Sequence, residues 1–164
     1  MIQSISGILL WLFVINLGIA FGAGLYESRI VVPDWIGATS EAGYFWNAEA
    51  ARRDNTGLRF WVYVTTIPLT LLTVLSLIFA WQAEGAARFW WLTAALASLA
   101  DRILTFAYFI PTMVKLMNDE SLPQSKSAAI AVQWVNLGYI RHALVFIAFL
   151  AALKAFSVFG RQFG

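Results

Sequence analysis

FWWLTAALASLADRILTFAYFIP, residues 89–111, decides how this chain folds. A bilayer core of ~30 Å needs about 20 apolar residues as helix, and this run supplies them. Yet Asp101 and Arg102 stand in its middle. A charged side chain at that depth costs at least ~2.5 kcal/mol on the mildest insertion scale, so it is expected to face a protein-lined interior and to carry function. A second pair, Arg141-His142, enters an equally apolar run over residues 143–153.

Three further apolar stretches cover residues 5–32, 60–81 and 132–159. The chain has 164 residues, 60% of them hydrophobic and only 12% charged, about half the charge of a soluble domain. Open strands cannot cross lipid, and no alternating pattern of barrel strands is visible. The expected fold class is therefore all-α, a polytopic bundle of four transmembrane helices forming one integral membrane domain over residues 1–164. The tight link 82–88 makes spans two and three antiparallel neighbours. Trp35, Trp46 and Trp61 are expected at one membrane face, with Trp81, Trp90 and Trp91 at the other. Glu41–Arg53 reads as a short helix capped by Thr39 or Ser40, and residues 112–131 as a solvated loop. The expected location is a bacterial inner (plasma) membrane, with the lipid bilayer as partner and a homo-oligomer allowed.

Composition also excludes chemistry. A net charge of +2 without a basic run leaves no nucleic-acid footprint. The absence of cysteine removes disulfides, thiolate nucleophiles, Cys zinc sites and iron–sulfur clusters. One histidine forbids a multi-histidine metal centre. No phosphate-binding glycine loop and no Ser-His-Asp order is present.

Depth sorts the remaining polar residues. Span one ends toward loop 33–59 with Tyr26, Glu27 and Arg29 in its last two turns, and span two begins there with Arg59, Tyr63, Thr65 and Thr66. Span three places Asp101-Arg102 roughly 15 Å before Pro111 at the helical rise. Span four enters with Trp134, Asn136, Arg141 and His142 in its first three turns. All four spans thus carry their polar residues in one half of the bilayer, as the lining of a pocket open to one face would. Glu27 and Asp101 are the natural counter-charges of Arg29, Arg102 and Arg141, because unpaired buried ions are too costly. The plainer alternative is an ion-pair network that only clamps the helices.

The candidate catalytic residues are His142, Asp101, Arg141, Arg102 and Glu27, and the candidate substrate-binding residues Tyr26, Arg29, Arg59, Tyr108, Trp134 and Asn136. No metal ligands are assigned, since no Glu-x-x-His spacing joins Glu27, Asp101 and His142. His142 allows three roles: general base, axial haem ligand or hydrogen-bonded spectator. No cofactor is evident, and haem on His142 is the alternative. A non-enzymatic protein that binds or transports a hydrophobic or anionic ligand is another. An echo joins Ile30-Val31-Val32-Pro33 at the end of span one to Tyr108-Phe109-Ile110-Pro111 in span three. It reads either as a repeated hairpin or as chance among apolar residues.

Gly22-x-Gly24-x-Tyr26-Glu27 followed by Val32-Pro33, then Trp134-x-Asn136 with Arg141, resembles the small four-helix membrane proteins of the DUF1772 group, which includes the anthrone oxygenases of polyketide pathways. The resemblance implies oxidation of a flat, lipophilic phenolic substrate by dioxygen, with no flavin or metal motif. It would make His142 or Asp101 the base and Arg102 or Arg141 the holder of the resulting anion. Trp134, Tyr108 and Phe106 would stack on the rings.

Overall fold

The computed structural model describes residues 2–38 and 43–161. Within them, four helical stretches are long and apolar enough to cross a membrane: Ile5–Trp35, Gly57–Gln82, Gly85–Asn118 and Gln124–Phe159. The chain is an all-α integral membrane bundle. Its elements are α1 (Ile2–Tyr26), α2 (Val32–Trp35), strands β1 (Ile36–Ala38) and β2 (Tyr44–Trp46), α3 (Ala48–Asp54), α4 (Ile67–Gln82), α5 (Gly85–Leu104), α6 (Ile110–Asn118) and α7 (Gln124–Arg161). Three π-helical segments interrupt the spans: π1 (Glu27–Val31), π2 (Gly57–Thr66) and π3 (Thr105–Phe109). Each span packs on its chain neighbours, and α7 closes the ring against α1.

One face of α5 is buried. Ala87, Trp91, Ala94, Ser98, Asp101 and Thr105 are all below a tenth exposed, spaced three and four apart as a helix stripe requires. Phe89, Leu96 and Ile103 point outward and are more than half exposed, as lipid-facing residues are. Ala94 on α5 and Ala148, Ala151, Ala152 and Ala155 on α7 belong to the same packed core as Phe13 and Leu17 of α1. Small side chains let transmembrane helices approach closely, which is where their packing energy comes from. This core fills the half of the bundle nearer Gln82 and Gly85.

The other half is opened by prolines. Pro33, Pro68 and Pro111 each lie two residues past the end of a π segment. Proline lacks an N–H and its ring crowds the carbonyl four residues back, so an α-turn cannot run through it undisturbed. The chain widens the preceding turn instead. The residue just before each proline bonds back five residues: Val32 N–H to Glu27 O, Ile67 N–H to Val62 O and Ile110 N–H to Thr105 O. The two echoing Val/Ile-Pro sites of spans one and three are two of these three places. Pro68 has no N–H to offer Val64, and Asn16 Nδ2 donates to that carbonyl at 2.9 Å.

A roof covers the widened half. β1 and β2 form an antiparallel hairpin pairing Ile36 with Trp46. Trp46 Nε1 donates to Leu116 O and Gln124 Nε2 to Trp46 O, both at 2.9 Å. Trp35 Nε1 donates to Asp54 Oδ2 at 2.9 Å. Trp35, Trp46, Ala50, Ala51 and Leu116 make a small second core.

Three expectations change here. The segment expected as a helix over Glu41–Arg53 contains a strand and then a shorter helix, because Tyr44-Phe45-Trp46 favours an extended, half-buried edge. Asn47 caps that helix, accepting from Ala50 N–H at 3.0 Å; Thr39, Ser40 and Glu41 lie outside the described residues. Residues 112–131 are mostly helical, broken only near Pro123, because Leu116 and Ala131 are anchored in the roof core. The expected interfacial belt also divides: Trp81 is 69% exposed, whereas Trp35, Trp46 and Trp91 are buried.

Candidate functional site

Beneath the roof lies a cavity of about 520 Å³, within the ~300–1,000 Å³ of small-molecule sites. Glu27, Trp61, Thr65, Arg102, Thr105, Phe109, Trp134 and Arg141 line its depth, and Trp35, Arg52 and Asn55 its roof. All three π segments contribute. Widened turns of this kind recur at functional sites because they turn side chains and carbonyls out of helical register.

At the floor, Asp101 is fully buried and pairs with both arginines. Arg102 donates to its Oδ2 through Nε at 3.1 Å and through Nη2. Arg141 donates to Oδ1 through Nε at 3.1 Å. Two guanidiniums on one carboxylate leave a surplus positive charge. Arg102 is 5% exposed, and its Nη1 has no hydrogen-bond partner among the described residues. Arg141 commits only Nε to Asp101, and its guanidinium carbon sits 4.5 Å from the centre of the Phe109 ring. Phe109 in turn meets Trp134 edge-on, and Trp134 Nε1 donates to Phe109 O at 3.2 Å. This pins the aromatic wall.

Across the cavity stands Glu27. Its Oε1 accepts from Thr56 Oγ1 at 2.6 Å and Trp61 Nε1 at 2.7 Å. Both bonds fall on one oxygen and fix the carboxyl plane. Arg141 is within electrostatic reach of this carboxylate. The floor and the Glu27 wall are therefore coupled through one cation.

Of the candidate catalytic residues, Glu27, Arg102 and Arg141 line the cavity, and Asp101 holds the two arginines from behind. His142 does not reach it. Its Nε2 lies 3.4 Å from Ser28 Oγ in the seam between α1 and α7, and a Cβ placed on Gly24 would stand 3.0 Å from that nitrogen. Among the described residues no three His, Asp or Glu side chains gather as a metal set. Of the candidate binding residues only Trp134 lines the cavity. Tyr26, Arg29, Arg59 and Asn136 point outward and are exposed, and Tyr108 is half-buried against Phe109 outside the lining. Sequence reasoning missed Thr56 and Phe109 as site residues and took Trp61 for a boundary marker. The usable signal was the shared spacing of Trp61 and Thr65, four apart on one helix face.

Comparison of the chain with protein-family models, with curated proteins and with solved structures finds no match.

Proposed function

We propose that the protein is a membrane enzyme that takes a flat, lipophilic, enolisable ketone from the bilayer, removes a carbon-bound proton and lets dioxygen oxidise the resulting anion. The carrying observation is one fixed carboxylate, Glu27, in the same cavity as a floor with surplus positive charge. With Glu27 ionised, the four groups Glu27, Asp101, Arg102 and Arg141 sum to zero. Moving a proton from a neutral ligand to Glu27 leaves ligand anion, neutral acid and a floor of charge +1, which again sums to zero. The transfer neutralises Glu27 and sets the new negative charge beside Arg102 and Arg141, a favourable pairing in a low-dielectric site, and this supports Glu27 as the base.

The chemistry follows from these places. Glu27 takes a proton from a methylene flanked by aromatic rings. The negative charge moves onto the ketone oxygen, where Arg102 and Arg141 hold it as preorganised donors. Phe109 and Trp134 supply the ring contacts. The carbanion and dioxygen form a carbon–oxygen bond, and the proton on Glu27 passes to the outer oxygen to give a hydroperoxide. Glu27 then takes the second proton from that carbon while the O–O bond breaks, and the departing hydroxide receives it and leaves as water. Overall, a CH2 group and O2 give a carbonyl and water. His142, wedged at Gly24, suits a structural role better than haem ligation.

Anthrone in air with purified protein tests this, read as the rise of anthraquinone absorbance over protein-free buffer. Glu27→Gln is expected to lower turnover about 10²-fold or more, the typical contribution of a positioned base. No turnover above buffer, or full activity in Glu27→Gln, rejects the reading.

A further inference from the structure

We propose that the ligand is a single-tailed amphiphile, with its flat acidic end on Arg102 and Arg141 and its tail leaving the bundle between spans two and three into lipid. This rests on the reading above that the cavity holds a lipophilic ketone that ionises against the two arginines, and adds the tail and its route.

The wall is breached on one side. Leu58 of span two and Ile110 and Val114 of span three line the cavity, yet they are 62%, 39% and 48% exposed. Residues of a closed wall are not so open, so these three belong to the outer surface as well as to the lining. Helix packing says why. α4 and α5 pack together along the alanine-rich half, whereas their continuations under the roof, π2 and α6, touch little, and π2 leans on α1. The three side chains that edge the gap are apolar. At its inner end the lining changes character, to Arg102 with its unpartnered Nη1 and to Arg141 beside it. An acidic ring without a tail would satisfy the arginines and leave the gap to lipid chains. A tail without an acid would fill the gap and leave Arg102 Nη1 without an acceptor. A molecule carrying both satisfies both ends, and it reaches the site without crossing water.

The test uses the full chain in phosphatidylcholine nanodiscs with two coloured probes, 2-hydroxy-1,4-naphthoquinone and its 3-undecyl derivative. Binding is read from quinone absorbance retained above empty nanodiscs and expressed per mole of lipid, so that partitioning cancels. The undecyl probe is expected to bind at least tenfold tighter than the tail-less one. Val114→Trp and Leu58→Trp, which plug the gap from outside, are expected to bring that ratio toward one. Arg141→Gln is expected to weaken both probes at least tenfold. If that variant fails to fold, the two surface substitutions still decide. Equal affinity of the two probes, or a ratio unchanged by both tryptophans, overturns the inference. Turnover of anthrone without tail preference rejects this inference alone, and tail preference without turnover rejects the enzyme reading alone.

Discussion

Asp101 carries a heavy electrostatic load, because two guanidiniums depend on it at zero exposure. Removing its charge leaves two guanidiniums facing each other, of which Arg102 is buried. Asp101→Asn is therefore expected to destabilise the protein by about 3–5 kcal/mol, measured by unfolding in detergent; a neutral result would mean that water reaches the pair. His142 makes the opposite forecast. Since it packs against Gly24 and Ser28 and not in the cavity, His142→Ala is expected to keep anthrone turnover within twofold of the unaltered protein. A loss comparable to that of Glu27→Gln would return the base role to the histidine. The floor was legible in the sequence, because a mid-membrane Asp-Arg pair can only be tolerated in company. The partners of Glu27 were not. Thr56 and Trp61 lie in another element across a loop, and no spacing announces a hydrogen bond formed by folding.

Helical elements bend to proline here without ending. Reading Pro33 and Pro111 as span boundaries uses a sound rule, but each proline is accommodated by a widened turn, and the helix resumes beyond it. Asn16 shows the arrangement at work, supplying Val64 with the donor that Pro68 lacks. Asn16→Leu is expected to cost about 0.6–2 kcal/mol, the usual range for hydrogen bonds between membrane helices, and no loss in detergent melting would show that the carbonyl finds another donor. The roof has a pH dependence of its own. The Trp35 indole N–H donated to Asp54 holds that carboxyl below the usual carboxylate range, with the Arg53 guanidinium, 3.2 Å away, adding to the effect. A depressed carboxylate contributes stability above its unfolded pKa, about 3.9, and loses it as pH falls through the lower folded value. Tryptophan emission is thus expected to shift on acidification below about pH 4, modestly because the group is largely solvated. Asp54→Asn is expected to flatten that shift; an unchanged profile would place the titration elsewhere.

At the scale of the molecule, two halves divide the labour. The alanine-rich inner half fixes the bundle, and the widened outer half holds the cavity under its roof. Span number, span order and the side carrying polar residues could be read from apolar run length, because bilayer thickness imposes it. The roof could not, since it depends on contacts such as Trp46 with Leu116, 70 residues apart. The lining of the cavity comes from the widened half and its roof, so precursor and product would share one chamber. On the proposed chemistry, an oxidised product left in that chamber blocks the next arrival and should compete with its own precursor. Initial rates with added anthraquinone are expected to show a raised KM at constant kcat, and purely noncompetitive inhibition would place the product at a different site.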